Sequence, residues 1–174
     1  MSTYLLSALA RQYGGQPLSA FETAHPYSWL LWEPGAWTPP RKASDTMLLR
    51  PSTPLPGGAG EALALGLVSK RGSTQITLGR GPDNDLPIND ATLSTTHLVL
   101  MADERGWTVR DANSRNGTWL DGAQLVAGIP QRLAEASSIR AAQVGLTFYT
   151  PKGLFERMRL SGAARVAAPT VRGA

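Results

Sequence analysis

The feature that most restricts the fold is the close spacing of short apolar segments across residues 63–149. Turn residues separate these segments, for example Asp103-Glu104-Arg105-Gly106 and Asp121-Gly122. Parallel βαβ units would need a connection of about a dozen residues or more between strands, which this spacing does not leave. The pattern therefore predicts an all-β sandwich of two packed sheets. Candidate strands are 63–69, 75–79, 86–88, 97–102, 106–110, 118–120, 124–126, 130–134, 138–141 and 144–149.

Two helical patterns precede this region. The first covers Tyr4 to Gln12. The second starts at Ser19, whose spacing to Glu22 matches the S-x-x-E capping box, and ends at His25-Pro26. Residues 27–33 are then rich in aromatic side chains, which favours a strand that is apolar on both faces.

Three of the five tryptophans lie between Trp29 and Trp37. Leaving so much aromatic surface exposed would promote aggregation. We therefore expect residues 1–38 to be an ordered helix and strand extension that packs on the sandwich or on a partner. This packing is expected to bury Trp29 or Trp32.

Residues 39–60 are rich in proline and glycine, which is typical of a linker, although Thr46 to Leu49 is apolar enough for a short edge strand. After Pro151, the pattern predicts a short amphipathic helix from Leu154 to Leu160 and a frayed basic end beyond Gly162. The expected organisation is an extension at 1–38, a linker at 39–60, the β domain at 61–150, and a helix with a disordered tail at 151–174.

The distribution of charge excludes several kinds of partner. Residues 61–150 hold 8 Lys or Arg against 9 Asp or Glu, whereas residues 151–174 hold 5 against 1. A polyanion binder would carry its positive charge on the folded face, so nucleic acid is not expected as a partner.

Because the chain has no cysteine, disulfides and thiolate metal sites are excluded. With no signal-peptide pattern and no long apolar run, we expect a cytoplasmic protein that does not bind a membrane.

Three clusters of small and polar residues stand on the predicted strand connections: Gly79-Arg80, Ser94-Thr95-Thr96-His97 and Ser114-Arg115-Asn116-Gly117-Thr118. An arginine fork matches two phosphate oxygens, hydroxyls can donate to phosphate, and loop amides can form an anion-binding nest. Each cluster alone has an ordinary alternative, such as a surface arginine in a turn or an Asn-Gly hairpin without a ligand. Together they predict a phosphate-binding site rather than a catalytic one.

His97 has two interpretations. It could act as a general base, but the sequence places no activated nucleophile beside it and no carboxylate at triad spacing. A structural imidazole that braces the loops is the favoured interpretation. No cofactor, metal site or catalytic set is expected.

The order and spacing of the clusters resemble the forkhead-associated (FHA) domain, a phosphothreonine-binding family, over about residues 63 to 150. The resemblance implies a sandwich of two twisted, mainly antiparallel sheets with small helical additions at both ends. It also implies phosphopeptide contacts from Arg80, Ser94, Thr95, Arg115 and Asn116. Loop-bracing roles are implied for Gly79, His97, Gly117 and Thr118.

Two positions depart from the family pattern. Thr95 stands where asparagine or arginine is common. Thr92 stands where a basic side chain can bind an acidic residue downstream of the phosphothreonine. A preference for acidic sequence at that place is therefore not expected.

The resemblance implies a protein-interaction module that binds the phosphothreonine product of a Ser/Thr kinase and acts as an adaptor or scaffold. The alternative is a phospho-independent assembly module whose pocket is idle. An enzyme is the third possibility, and it lacks a candidate catalytic set. Thr46 and Thr53, in the linker, are candidates for phosphorylation and self-recognition, although the favoured interpretation is that they are ordinary linker residues, with Thr46 in the short edge strand.

Overall fold

The structure is a computed structural model that describes residues 2–33 and 61–166. Its strands form two sheets, which confirms the predicted all-β sandwich. The strands are β1 (Thr3–Leu5), β2 (Trp29–Trp32), β3 (Leu63–Gly66), β4 (Gln75–Gly79), β5 (Leu86–Pro87), β6 (Leu98–Asp103), β7 (Gly106–Asp111), β8 (Thr118–Leu120), β9 (Ala123–Gln124), β10 (Gln131–Arg132), β11 (Ser138–Ala141) and β12 (Val144–Tyr149). The helices are α1 (Leu6–Tyr13), α2 (Leu18–Ala24) and α3 (Pro151–Val166).

The larger sheet has the order β1-β3-β2-β12-β11-β8-β9, and the smaller sheet has the order β10-β7-β6-β4-β5. Within the described ranges, every strand pair is antiparallel except β4 with β5. The ten strand candidates from residue 63 onward are all found, with ends shifted by at most three residues. The largest shift is in β3, which ends at Gly66 rather than at residue 69. The predicted strand at Thr46 to Leu49 lies outside the described residues.

The sandwich core fills the space between the sheets. Alternate residues of the strands face inward, as in Ile76 and Leu78 of β4, Leu98 and Leu100 of β6, and Ile139 of β11. The strand β2 is apolar on both faces, as the sequence predicted. Leu30 joins the sandwich core, while Trp29 and Leu31 face the opposite side of the larger sheet.

The three helices cover that opposite side at β2 and β3. Together with β1 they form what we call the helical cap. Its mainly apolar interior contains Leu6, Leu9, Tyr13, Phe21, Trp29, Leu31, Ala64, Leu154, Phe155 and Met158. Because β2 lies between β3 and β12, the N-terminal segment contributes an interior strand instead of only packing on the domain surface.

The predictions from the sequence were less accurate for the helices than for the strands. Thr3–Leu5 forms β1, which pairs with β3, so the first helix begins at Leu6 and not at Tyr4. The predicted capping box is wrong, because α2 begins one residue earlier, with Pro17 at the N-cap and no side-chain cap. The C-terminal helix is longer than predicted and continues past Gly162 to Val166, where fraying was expected.

Candidate functional site

The site lies at one end of the sandwich, where three strand connections meet. We call them the Arg80 loop (residues 80–85, between β4 and β5), the Ser94 loop (88–97, between β5 and β6) and the Asn116 loop (112–117, between β7 and β8). The turn between β11 and β12 joins them, because Ala142 N–H donates to the Gly117 carbonyl at 3.0 Å. The predicted clusters, far apart in sequence, are therefore brought together.

Gly79 sets the distance between the Arg80 and Ser94 loops. A Cβ at this residue would lie 2.8 Å from Thr96 Cα and 2.9 Å from the His97 nitrogen, closer than real Cβ contacts allow. With no side chain between them, the loops join by two backbone hydrogen bonds. Arg80 N–H donates to the Ser94 carbonyl and Gly81 N–H to the Thr95 carbonyl, both at 2.9 Å.

The Arg80 side chain is exposed at the rim of these loops. Within the described residues it makes no ion pair, and the same holds for the exposed Arg115 across the site. A guanidinium that no carboxylate neutralises can bind an anion without first breaking an existing pair. The two arginines therefore supply uncompensated positive charge to this end of the sandwich.

Ser94 connects the Ser94 loop to the Asn116 loop. Its Oγ accepts a hydrogen bond from Arg115 N–H at 3.0 Å. A serine hydroxyl has two acceptor lone pairs and one proton, so this bond leaves the proton for donation to a ligand. Ser94 is half-buried and is held at the point where both arginine-bearing loops meet.

His97 is fully buried and is bonded at both ring nitrogens. Nδ1 accepts from Ser94 N–H at 3.1 Å, and Nε2 lies 3.0 Å from the Gly117 carbonyl. Since an amide can only donate and a carbonyl only accept, these partners fix the neutral tautomer with its proton on Nε2. Burial lowers the pKa of His97, although the Gly117 bond and the charge of Asp111 act in the opposite direction.

Asn116 connects the third loop back to the second. Its Nδ2 donates to the Thr92 carbonyl at 2.7 Å. The Thr92 hydroxyl in turn donates to Asp90 Oδ1 at 2.5 Å, and the Thr92 N–H donates to the same oxygen at 2.8 Å. The side chain of Thr92 is therefore used within the loop, next to a carboxylate.

The Asn116 loop has its own internal anchor at Asp111. This buried carboxylate accepts from Ser114 N–H and Oγ at 2.8 and 2.6 Å, and from Thr118 Oγ1 at 2.5 Å. Burial alone would raise the pKa of Asp111, but the hydrogen bonds from Ser114 and Thr118 outweigh it and lower the pKa. Gly117 adopts φ +77°, a conformation that favours glycine, so the turn needs this residue.

Thr95 is exposed, and the contacts the structure shows for it come mainly from its backbone. Its carbonyl accepts from Gly81 N–H and from the Asn84 side-chain amide at 2.6 Å. Asn84 was not predicted as a site residue, yet it is buried and bonds both loops. Its Nδ2 also donates to the Gly81 carbonyl at 2.7 Å, and its Oδ1 accepts from Thr96 Oγ1 at 3.1 Å.

Asn84 carries little signal in the sequence, because Pro82-Asp83-Asn84-Asp85 is the composition of an ordinary turn. Asp85 was missed for the same reason. Its buried carboxylate accepts from Lys70 N–H at 2.7 Å and from Thr77 N–H at 2.9 Å, which fixes the far end of the Arg80 loop. A turn composition cannot distinguish a side chain that points to solvent from one that points inward.

The comparisons with known proteins agree with this geometry. Residues 76–141, which contain all three loops, match the family model described as FHA domain. The FHA domain-containing protein FhaB of Mycolicibacterium smegmatis is 34% identical over 58 residues, equal to 33% of this chain and 37% of that protein. The match thus spans little more than a third of the relative's length. Residues 76–141 are an FHA domain.

Solved structures of FHA domains are also similar to the chain. The N-terminal FHA domain of Rad53p from S. cerevisiae, solved with a phosphothreonine peptide, has 17% identity and a TM-score of 0.48, covering 75% of this chain and 98% of that one. An FHA domain of a hypothetical protein from Arabidopsis thaliana has 27% identity and a TM-score of 0.45, covering 50% of this chain and 73% of that one.

The matched part of the FHA domain omits several elements of the sandwich. Strands β1, β2, β3 and β12 lie outside residues 76–141, although they complete the larger sheet. In residues 2–33 and 61–166, no group of three or more acidic or histidine side chains is placed to hold a metal ion. Across the same residues, no helix is long and apolar enough to cross a bilayer.

Proposed function

We propose that this FHA domain binds a phosphothreonine-containing segment of a partner protein. The observation that carries the proposal is the exposed, uncompensated Arg80 beside the available Ser94 hydroxyl proton, with Arg115 across the site. A phosphothreonine carries about two negative charges near neutral pH, which suits two cations and several fixed donors. Because backbone bonds already hold the three loops together, the donors are arranged before a ligand arrives.

Each predicted site residue has a role in this proposal. Arg80 pairs with the phosphate, Ser94 donates its hydroxyl proton, and Arg115 contributes charge from the Asn116 loop. Asn116, held by one amide hydrogen to Thr92, keeps its carbonyl oxygen and second hydrogen for the main chain of the bound peptide. Thr95 lies on the exposed rim, where it could contact the peptide beside the phosphate.

The bracing residues act through these contacts. Gly79, His97, Gly117 and Thr118 fix the loop positions, and Asn84 joins them in that role. His97 is unsuited to general-base chemistry, because both of its ring nitrogens are bonded to the backbone. We therefore propose a binding module, not an enzyme.

In its finer form, the proposal is an adaptor or scaffold in Ser/Thr kinase signalling. The ligand would be the phosphothreonine product of such a kinase. The proposal also takes the protein as cytoplasmic, with no nucleic acid or membrane partner. The nearly balanced charge of residues 61–150 supports this choice over a polyanion partner.

The test is a phosphothreonine peptide library, compared with its unphosphorylated and phosphoserine twins by calorimetry. We expect binding of the phosphothreonine form, no detectable binding of the unphosphorylated form, and weaker binding of phosphoserine. Burying the threonine methyl group is worth about 1 kcal/mol, or roughly fivefold in affinity. Equal binding of phosphorylated and unphosphorylated peptides would instead favour the phospho-independent assembly module.

A further inference from the structure

The outer face of the larger sheet carries a row of three side chains directly behind the Asn116 loop. Gln124 of β9 pairs with Trp119 of β8, and Trp119 pairs with Arg140 of β11. Arg140 stands between Ile139 and Ala141, which face the core, so it lies on the opposite side of the sheet. We call these three residues the outer row.

The outer row touches the Asn116 loop at Gly117. A Cβ on Gly117 would lie 2.9 Å from Gln124 Nε2 and 3.0 Å from the Trp119 ring. The absence of a side chain at this residue therefore lets the indole reach the backbone of the loop that carries Asn116. The outer row is therefore next to the loop that carries Asn116 of the proposed peptide site.

Arg140 is fixed in place on the indole. Its guanidinium carbon lies 3.3 Å from the centre of the Trp119 ring, and Nη1 donates to the Ala142 carbonyl at 3.0 Å. Ala142 itself donates to the Gly117 carbonyl, so this arginine is coupled by short contacts to the loop. Arg140 and Trp119 are both half-buried, so part of each remains on the surface. A stacked arginine keeps its charge and loses little further freedom when it binds a carboxylate.

The other side of Asn116 has the opposite character. There Asn116 contacts Thr92, whose hydroxyl is bonded to the Asp90 carboxylate. An acidic peptide residue on that side would face a negative group, while one over the outer row would face Arg140. The site is therefore polarised in charge from one flank to the other.

We propose that the outer row is a specificity subsite that takes an acidic side chain of the bound peptide, at a position flanking the phosphothreonine. The inference rests on the proposed function, since a phosphate bound by Arg80 and Ser94 would place the peptide across Asn116. The ligand class is a Glu or Asp carboxylate carried by the same phosphopeptide. Arg140 supplies the charge, Trp119 the supporting surface, and Gln124 a further donor.

The test uses peptides with a central phosphothreonine in an alanine and serine background. A single Glu is placed at each of the flanking positions in turn, and each peptide has a Gln twin of nearly the same shape. Affinities are measured by fluorescence anisotropy at low salt for the wild-type chain and for Arg140→Gln. Arg110→Gln, which changes a half-buried arginine on the smaller sheet, is the matched control.

We expect the Glu peptide to bind about threefold to tenfold more tightly than its Gln twin at one or two adjacent positions. This preference should disappear in Arg140→Gln and persist in Arg110→Gln. Both peptides are compared on one protein preparation, so a partly unfolded variant would not alter their ratio. Arg140→Lys, which keeps the charge, should retain part of the preference.

Three results would overturn the inference. One is a Glu to Gln ratio near one at every position of the wild-type chain, another is a preference that survives Arg140→Gln, and the third is one that also vanishes in Arg110→Gln. In each of these cases the proposed function still stands if the Gln phosphopeptide binds better than its unphosphorylated twin. If no phosphopeptide binds at all, the proposed function and this inference fall together.

Discussion

The binding end and the helical cap are each built around one of the two histidines of the chain, but by different means. His97 is held by a hydrogen bond at each ring nitrogen, both to the backbone of a binding loop. His25 is surrounded by aromatic rings, with centroids 5.2 to 5.8 Å away, and among the described residues its ring forms one hydrogen bond, with the Tyr27 hydroxyl at 3.0 Å. These rings belong to Tyr4, Tyr13, Phe21, Tyr27 and Trp29.

The difference shows how the two regions obtain their order. Hydrogen bonds have narrow geometry, so the binding end gains fixed loop positions. The cap is stabilised by the burial of apolar area, and this stabilisation depends little on how the side chains are oriented. It even leaves the Trp29 indole nitrogen buried without a hydrogen-bond partner among the described residues. We therefore expect damage to the cap to change stability, and damage to the binding end to change affinity.

The largest effect is expected from Phe21→Ala in the cap. Phe21 is fully buried and its ring lies against those of Tyr13, Trp29 and Phe155. Removing such a ring costs about 3–5 kcal/mol, a large share of the 5–15 kcal/mol typical of a domain. Urea unfolding should show a much lower midpoint, while the folded fraction binds phosphopeptide as the wild type does. Leu160→Ala, at an exposed side chain, is the control and should change stability by no more than about 0.5 kcal/mol.

The converse change is Arg80→Ala at the binding end. Losing one partner of a charge-assisted contact costs about 2–5 kcal/mol, or roughly 30-fold to several thousandfold in affinity. Because Arg80 is exposed, the free energy of unfolding should stay within about 0.5 kcal/mol of the wild type. Arg105→Ala, at the exposed turn between β6 and β7, is the control and should bind normally. Calorimetric titration of Arg80→Ala that matches the wild type would exclude Arg80 as the phosphate anchor.

Features that depend on local sequence could be predicted, whereas features that depend on contacts distant in sequence could not. Strand positions were predictable because alternation and turn residues are local patterns, and the loop clusters because their residue types match phosphate chemistry. Asn84 was missed because burial of a turn amide depends on a carbonyl of the Ser94 loop, eleven residues away. The strand Thr3–Leu5 was read as helix because its pairing with β3 is a contact across about sixty residues.

The helix boundaries were missed for related reasons. The S-x-x-E pattern at Ser19 is local, but Pro17 already provides the extended N-cap with φ −71°, so α2 starts before that pattern. In the cap, the density of aromatic residues predicted that the segment is buried. It could not predict which rings surround His25, since packing partners are chosen by the whole fold.

His97→Ala should have an intermediate effect that reaches both properties. It leaves the Ser94 N–H and the Gly117 carbonyl without their buried partner, at a cost of about 1–3 kcal/mol. The melting temperature should fall. The phosphopeptide affinity of the folded protein should fall with it, because both binding loops lose a shared anchor. His25→Ala is the matched comparison, expected to lower stability alone. An unchanged melting temperature with lost binding in His97→Ala would place His97 in direct contact with the ligand.

The smallest effect is expected from mild acid. Burial lowers the pKa of both His97 and His25 below the ordinary value of 6.5. As the pH falls below about 6.5, the unfolded chain therefore takes up protons before the folded chain does. The free energy of unfolding must then decrease, and the loss ends once the pH has passed the folded pKa values.

The two histidines should differ in what protonation does to the structure. At His25, the Tyr27 hydroxyl can accept a hydrogen bond from the protonated ring as readily as it donates one to the neutral ring, so the contact survives. At His97, the Ser94 N–H can only donate, so a protonated Nδ1 would face another donor. Replacing His97 by Gln should therefore remove more of the acid-induced loss of stability than replacing His25 by Gln. Urea unfolding between about pH 7.5 and 5.5 measures the loss, and NMR titration of the rings gives each pKa. Equal pH dependence in the two variants would show that the hydrogen bonds of His97 add nothing to what burial does at His25.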